Sequence, residues 1–173
     1  LKKSEARLKQ RVDEQTKSLE LQTKRFEFQA THDQLTGLPN RRAFDSWLTE
    51  YFASAKQESK SLCLASIDID LFKQVNDEYS QLVGDKVLER VAQQLKDLAP
   101  ERAKYARWGG EEFTLLLPEH SLKQALNAVK IIQQSIEQCD FSDLAPLLSI
   151  TVSIGVASAE NASDYNRLLN HAD

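Results

Sequence analysis

The chain has 173 residues, 41% hydrophobic and 28% charged, with a formal net charge of −4 at pH 7, which is the composition of a globular domain large enough to bury a core. The acidic balance argues against nucleic acid as a partner, and no apolar run approaches the roughly 20 residues that span a bilayer. Two cysteines are too few for a disulfide framework or a zinc site, and no signal-peptide pattern follows Leu1.

Residues 1–30 differ from the rest of the chain, being rich in Lys, Glu and Gln and free of Gly and Pro. Apolar residues occupy most seam positions of one heptad register, and polar residues occupy the others. The apolar ones are Leu1, Leu8, Val12, Leu19 and Phe26, and the polar ones are Glu5, Gln15 and Gln22. The pattern predicts a coiled-coil helix of about four heptads, and a seam this narrow favours a partner helix. We interpret the segment as the stalk of a parallel homodimer; a single solvated helix is the alternative.

The stalk is followed by a turn and a second helix. Gly37 and Pro39 end the first helix, and Asn40 is a favourable N-cap for the next one. Apolar residues at helical spacing then predict an amphipathic helix to about Lys56. We interpret these residues as core contacts; they are Phe44, Leu48, Tyr51 and Phe52.

The stretch 61–69 is an apolar run without a polar face, which predicts a central strand. Asp68 and Asp70 lie at its end, two residues apart and therefore on one face. Burying a lone carboxylate is costly, so these acids need a compensating partner, and a divalent metal is one. Two solvated acids at a strand end are the alternative.

The next predicted elements lead to a hairpin. They are a helical turn at 71–77, an amphipathic helix from Gly84 to about Leu98, and strands at 104–108 and 113–117. Gly109 and Gly110 lie between the two strands, where they can take both central positions of a tight turn and let a ligand approach. Glu111 and Glu112 follow, and neighbouring side chains on a strand face opposite sides, so we expect them to have different roles. A hairpin flanked by solvated acids is the alternative.

Beyond the hairpin the pattern predicts a helix from Ser121 to about Gln138, a β-branched strand at 148–157 and a last helix from Ser163. The core order is therefore β-α-β-β-α-β, which predicts an α+β fold: a ferredoxin-like antiparallel sheet with helices packed on it, preceded by the coiled-coil helix. In this core the first and third strands are neighbours, so Asp68 and Glu111 can meet near one end of the sheet. Two such carboxylates suit Mg²⁺, which polarises a phosphoryl group and activates an attacking hydroxyl.

Three motifs in this order resemble the signatures of the GGDEF domain family, the diguanylate cyclases: DQLTGLPNRR at 33–42, DIDLFKQVNDEYSQLVGDKVL at 68–88 and RWGGEEF at 107–113. The resemblance implies a GGDEF domain over residues 31–173, with a fold related to the palm of nucleotide cyclases and polymerases, and a coiled-coil signalling helix over 1–30. It also implies that two GTP molecules are condensed to cyclic di-GMP and pyrophosphate across a homodimer, with Mg²⁺ or Mn²⁺ as cofactor. A non-catalytic GTP-binding or signalling module of the same fold is the alternative.

The resemblance implies roles for the acids. Asp68 and Glu111 match the metal ligands of the family, with the carbonyl of Ile69 beside them. Glu112 matches an acid that the family requires for activity, in handling the ribose 3′-hydroxyl.

The resemblance also implies a nucleotide pocket. Asn76 and Asp85 match the residues that read the guanine edge, since an Asn side chain both donates and accepts, and an Asp accepts from the guanine N1–H and N2–H₂ that adenine lacks. The other matches are Phe72 and Lys73, in a loop that binds phosphate through backbone N–H groups and an ammonium, and Gly109 and Gly110, which leave room for the nucleotide.

The chain departs from the family pattern at several positions. Ser80-Gln81 replaces Gly-His, and Leu71 replaces an aromatic residue or His; because Gln can also donate and accept hydrogen bonds, we expect only a small loss of substrate affinity. The R-x-x-D motif of the inhibitory product site would fall on Pro100 and Ala103, so we expect no such site. A Lys and an Arg that contact the phosphates follow the HAD-type sequence in the family, so we expect the domain to be truncated at its C-terminus and to bind the triphosphate more weakly.

The resemblance finally implies a place in signalling. The chain begins at Leu1 rather than Met, so we expect it to be the output part of a longer protein with an upstream sensor domain. We expect GTP as substrate, no nucleic-acid partner, and a cytoplasmic location, either free or as the cytoplasmic part of a membrane-bound sensor.

Overall fold

The computed structural model describes residues 2–163, with side chains from residue 4. Within this part the elements are α1 (Lys2–Thr31), α2 (Arg41–Glu58), β1 (Leu62–Ile69), α3 (Phe72–Glu78), α4 (Gln81–Leu98), β2 (Lys104–Gly109), β3 (Glu112–Pro118), α5 (Leu122–Glu137) and β4 (Val152–Ser158). A 3₁₀ turn, Ala159–Asn161, follows β4. The helix predicted from Ser163 lies outside the described residues from residue 164 onwards.

The described strands form one antiparallel sheet in the order β2-β3-β1-β4. Strand β1 pairs with β3 on one side and with β4 on the other. The predicted α+β fold with an antiparallel sheet is therefore confirmed, as is the prediction that the first and third strands are neighbours.

Alternation along β1 divides its apolar residues between two cores. Cys63, Ala65 and Ile67 belong to the larger core, together with buried residues of α3, α4 and α5, whereas Leu62 and Leu64 belong to the smaller core, together with α2. Helices thus cover both faces of β1, which is why its sequence is a continuous apolar run.

Two element boundaries differ from the predicted ones for local reasons. The Ser80 hydroxyl accepts a hydrogen bond from the Val83 N–H at 3.2 Å, so α4 begins at Gln81, earlier than predicted. The serine that departs from the family pattern is thus a helix N-cap. Strand β4 begins only at Val152, because the preceding segment is irregular and Leu147 has a φ of +61°.

Within residues 2–163, the hydrogen bonds between helix α1 and the following segment lie at its C-terminal end, at Ala30 and Thr31. Its seam residues Leu8, Val12, Leu19 and Phe26 are each between 51% and 69% exposed in the single chain. Leaving such a row of apolar side chains in water is unfavourable, so the partner helix stays a prediction that this exposure supports.

Candidate active site

The ends of β1 and β3 bring acidic residues together. Asp68 lies opposite Glu112 in the β1–β3 ladder, and the Ile69 N–H donates to the Glu111 carbonyl at 3.3 Å. Burial, and then the negative charges of Glu111 and Asp70, raise the pKa of Asp68 above its usual value. The strand order therefore places Asp68 and Glu111 close enough to repel each other.

Asp70 has a different environment from Asp68. Its two carboxylate oxygens accept hydrogen bonds from the hydroxyls of Thr151 and Ser153, both at 2.6 Å, and its N–H donates to the Thr151 carbonyl at 3.0 Å. Asp70 therefore joins the end of β1 to the start of β4, and its carboxylate is engaged by protein hydroxyls rather than open to a metal.

The hairpin differs from the predicted one by a register shift. Gly109 pairs with Glu112, and a bulge lies between Arg107 and Gly109. The two turn residues are consequently Gly110 and Glu111, so the prediction that both glycines form the centre of the turn is wrong. The expectation that Glu111 and Glu112 are neighbours on a strand is wrong as well, because Glu111 is a turn residue and β3 begins at Glu112.

Trp108, the extra residue of the bulge, accounts for the shift. Its ring meets Phe44 of α2 edge-on, with ring centroids 6.0 Å apart, and the Arg41 guanidinium lies 4.3 Å from the ring centroid. This packing holds Trp108 against α2 and moves the turn one residue along the chain. At Gly109 and Gly110 an added Cβ would meet no atom within 4 Å, and only Gly110 has a positive φ, +37°; the space at Gly109 is therefore open to a ligand.

The donor set at the acidic end fits a divalent cation. Among residues 2–163 no cluster of three or more His, Cys, Asp or Glu side chains forms a metal site, so the protein offers the Asp68 and Glu111 carboxylates and backbone carbonyls. Mg²⁺ takes oxygen ligands and commonly uses one or two protein carboxylates, completing its shell with water and substrate phosphates. A cation would also offset the burial of the Asp68 carboxylate and its repulsion by Glu111 and Asp70, which together raise the pKa of Asp68.

The predicted base pocket contains an orphan hydrogen-bond acceptor. Asn76 Oδ1 on α3 is buried and has no hydrogen-bond partner in the described part of the chain. An added Cβ at Gly84 of α4 would lie 1.8 Å from this oxygen and 3.2 Å from the Phe72 ring. Gly84 therefore makes the position of Asn76 possible, and Asp85 follows it on the same helix. Leaving a buried acceptor unpaired costs about 1–3 kcal/mol, and a ligand N–H would remove that cost.

The two residues predicted to bind phosphate differ in exposure. Phe72 is 8% exposed and its ring packs in the larger core, so its side chain is not available to a ligand. Lys73 is exposed, and within residues 2–163 its ammonium makes no ion pair, which leaves it available to an anion.

Comparison with known proteins identifies the family. Residues 30–173 match the family model described as "Diguanylate cyclase, GGDEF domain". The chain belongs to the GGDEF domain family.

Solved GGDEF structures resemble the whole described architecture. The coiled coil and GGDEF domain of DgcB from Caulobacter crescentus, solved in complex with c-di-GMP, is 31% identical, covers 98% of this chain and 90% of its own, and superposes with a TM-score of 0.88. The diguanylate cyclase SiaD from Pseudomonas aeruginosa, solved in complex with its activator SiaC, is 33% identical over 97% of this chain and 64% of its own, with a TM-score of 0.78.

Curated relatives of similar sequence are longer. An uncharacterized membrane protein of Staphylococcus epidermidis is 35% identical over 152 residues, which is 86% of this chain and 43% of that protein. The chain therefore spans less than half the length of the curated relatives it matches. In the part of the chain that the structure describes, none of the helices has the length and apolar character to cross a membrane.

The surface where many GGDEF domains carry the R-x-x-D motif is occupied by internal contacts in this chain. Arg102 Nη1 lies 2.8 Å from a carboxylate oxygen of Glu119, and the Ala103 N–H donates to the Pro100 carbonyl at 2.9 Å. The one arginine near the motif position is thus already paired with an acid.

Sequence reasoning assigned no role to three residues that shape this site. Gly84 lies inside α4, where a glycine costs about 1 kcal/mol relative to Ala and calls for a packing reason, but the predicted helix began at Gly84 and so did not show this signal. Asp33 and Arg107 lie in two of the motifs that resemble the family signatures, but only the structure joins them: Arg107 Nη1 lies 3.1 Å from both Asp33 oxygens.

Proposed function

We propose that this GGDEF domain is an active diguanylate cyclase that condenses two GTP molecules to cyclic di-GMP, with release of pyrophosphate, across a homodimer. The observation that carries the proposal is the position of Asp68 and Glu111, two half-buried carboxylates at neighbouring strand ends, where the Ile69 N–H bonds the Glu111 carbonyl at 3.3 Å. Burial, and then the charges of Glu111 and Asp70, raise the pKa of Asp68. Family membership makes cyclic di-GMP synthesis the general expectation, and this acidic pair, with the orphan Asn76 acceptor near it in sequence, supports it for this member.

Different residues of the chain are assigned to metal binding, proton transfer and phosphate binding. Asp68 and Glu111, with the Ile69 carbonyl, would hold Mg²⁺ or Mn²⁺, which when bound polarises the α-phosphate and lowers the pKa of the 3′-hydroxyl. Glu112, whose Cα lies opposite that of Asp68, is assigned to handling the 3′-hydroxyl proton. Lys73 neutralises phosphate charge, together with backbone N–H groups at Phe72.

Guanine recognition rests on two polar side chains. Asn76 and Asp85 read the Watson–Crick edge of the base, because a guanine N–H can satisfy an acceptor that adenine leaves unpaired. Gly109 and Gly110 keep the turn free of side chains so that the nucleotide can lie against it, as the open space around both glycines supports.

The homodimer and the upstream sensor belong to the same proposal. Each domain holds one GTP, so bond formation needs two domains face to face, and the exposed seam of α1 is the surface proposed to bring them together. GTP is a cytoplasmic nucleotide, so we place the domain in the cytoplasm, either free or as part of a membrane-bound sensor like the longer relatives.

The test is product analysis. The chain, alone and extended beyond Asp173, is incubated with GTP and Mg²⁺, and nucleotides are separated and identified by mass spectrometry. We expect cyclic di-GMP and pyrophosphate from the extended chain. GTP binding without any cyclic di-GMP would instead establish the alternative, a non-catalytic GTP-binding signalling module.

Deletion of the stalk tests the dimer. A short tether raises the effective concentration of its partner to roughly millimolar, so removing residues 1–30 should lower specific activity at dilute protein and make it depend steeply on protein concentration. Activity is measured over a dilution series of both forms. Specific activity that is independent of concentration without the stalk would contradict the prediction.

Product feedback is expected to be absent. Because Arg102 is paired with Glu119 and the motif positions are Pro100 and Ala103, cyclic di-GMP should neither bind this surface tightly nor inhibit turnover through it. Calorimetric titration of the nucleotide-free protein measures this. Low-micromolar binding that disappears in Arg102→Ala would prove the prediction wrong.

A further inference from the structure

Arg107 makes contacts that reach both sides of the hairpin. Its Nε and Nη2 donate to the Gly110 carbonyl at 3.0 and 2.7 Å, and its Nη1 lies 3.1 Å from each carboxylate oxygen of Asp33. The side chain is only 15% exposed. One guanidinium thus binds the turn that carries Glu111 and the segment that follows the stalk.

The Asp33 end of this contact is itself rigidly held. Asp33 accepts hydrogen bonds from the Thr36 N–H at 2.8 Å and from the Thr36 hydroxyl at 2.7 Å, and its backbone bonds Gly37 and Leu38. Burial, the largest influence, raises the pKa of Asp33, but the bonds from Thr36 and Arg107 and the charge of Arg107 outweigh it and leave the pKa lowered. The carboxylate is therefore ionised at neutral pH and fixed in place.

Asn40 ties the same region to the last turn of the stalk. Its Nδ2 donates to the Ala30 carbonyl at 3.0 Å, and its N–H donates to the Thr31 carbonyl at 2.8 Å. The preceding residue, Pro39, accepts a hydrogen bond from the Arg107 N–H at 2.9 Å. Hydrogen bonds, together with the Pro39–Asn40 peptide bond, therefore connect the end of α1 to Arg107 and, through its side chain, to the Gly110 carbonyl.

We propose that Arg107 is a positioning residue for Glu111, and that Asn40 ties this position to the last turn of the stalk. Glu111 lies in a turn beside a glycine with positive φ, and its carbonyl is bonded only at 3.3 Å by the Ile69 N–H. A catalytic carboxylate must be held within about 0.5 Å of its productive position, and such a turn does not provide this without the guanidinium. Arg107 is suited to the role because its planar guanidinium presents separate N–H donors to two partners in fixed directions, whereas the compact ammonium of Lys has no such fixed fork.

The consequence for catalysis rests on the proposed function, so the test uses two measurements that need no turnover. Hydrogen exchange is followed at the amides of residues 109–112, and Mn²⁺ binding to the nucleotide-free protein is titrated, in Arg107→Lys and in Arg90→Lys. Arg90, on α4, is the matched control because its guanidinium makes two hydrogen bonds of 2.7 Å with the Asp143 carboxylate. This pair lies outside the proposed site.

In Arg107→Lys we expect faster exchange at the turn and Mn²⁺ affinity reduced by roughly 10–100-fold, the usual loss when a residue supporting a metal ligand is removed. In Arg90→Lys both should stay at wild-type values. Wild-type exchange at residues 109–112 in Arg107→Lys would overturn the proposal. If the wild-type protein makes no cyclic di-GMP, or binds no Mn²⁺, the proposed function or its metal assignment fails, while the exchange measurement still decides this inference.

The stalk link is tested by Asn40→Asp. Asp still caps α2 by accepting from the Ala43 N–H, as Asn40 does at 3.1 Å, but it cannot donate to the Ala30 carbonyl. We expect faster exchange at residues 109–112 and unchanged protection of the first turn of α2. Unchanged exchange at the turn, with α2 protected as in the wild type, would overturn the part of the proposal that involves the stalk.

Discussion

Replacement of Asp68 by Asn is expected to abolish cyclic di-GMP synthesis and, at the same time, to raise the thermal stability of the metal-free protein. The first effect follows because Asp68 is an assigned metal ligand, and metal stabilisation of the transition state is worth several kcal/mol, so turnover should fall by about 10³-fold or more. Glu111→Gln should lose activity to a similar extent, and so should the corresponding Ala variants, with the fold intact.

The gain in stability follows from the sign of the pKa shift of Asp68. Burial, then Glu111, then Asp70 raise its pKa in the folded state above the ordinary 3.8. Its contribution to stability is therefore fully present below the unfolded pKa and is lost as the pH rises through the folded pKa. At neutral pH the ionised carboxylate destabilises the metal-free fold, and Asn removes that charge. We therefore expect the Tm of metal-free Asp68→Asn to lie above that of the metal-free wild type at neutral pH, and the difference to shrink as the pH is lowered through the folded pKa of Asp68.

Asp70→Asn is the matched control, two residues away on the same chain segment. The Asp70 carboxylate accepts short hydrogen bonds from Thr151 and Ser153. Because charge-assisted hydrogen bonds are stronger than neutral ones, the Tm of Asp70→Asn should lie below that of the wild type. The Tm of both variants is measured by differential scanning calorimetry, once in the presence of a chelator and once with added Mg²⁺. Near-normal turnover in Asp68→Asn would refute the metal assignment, and a lowered Tm in that variant would refute the electrostatic argument.

The second large effect is expected at a residue that touches no substrate in the proposal. The Cβ that Gly84→Ala adds would lie 1.8 Å from Asn76 Oδ1, so the Asn76 side chain must leave its position. Losing a buried hydrogen bond costs about 1–3 kcal/mol, or about 5–150-fold. We expect the KM for GTP to rise by this factor and the preference for GTP over ATP to decline, as in Asn76→Ala and Asp85→Ala.

The double variant Gly84→Ala/Asn76→Ala separates this mechanism from general damage to α4. If Gly84 acts only through Asn76, adding Gly84→Ala to Asn76→Ala should cause no further loss of GTP preference. The double variant should even gain stability, since Ala is favoured over Gly in a helix by about 1 kcal/mol. Steady-state kinetics with GTP and ATP measure all of these variants. Unchanged preference in Asn76→Ala and Asp85→Ala, or additive losses in the double variant, would contradict the assignment.

Much of the fold could be predicted because it depends on local patterns. The apolar run of β1 predicts a strand covered on both faces, and the helical spacing of apolar residues predicts α2, α4 and α5. Element order then implies the neighbouring positions of β1 and β3, and with them the meeting of Asp68 and Glu111. These are consequences of side-chain periodicity and strand connectivity, which are properties of the sequence itself.

Other features depended on contacts between distant segments. The packing of Trp108 on α2 decides that Glu111, and not Gly109, is a turn residue. The hydroxyls of Thr151 and Ser153 decide that Asp70 links the end of β1 to the start of β4. Gly84 is needed only because α3 carries Asn76 to within contact of it, and Arg107 reaches Asp33 only after the chain has folded back on the end of the stalk. The sequence by itself determined which residues and elements are present. The tertiary structure decided which of those residues meet, because packing and hydrogen bonds between segments remote in the chain depend on the complete fold.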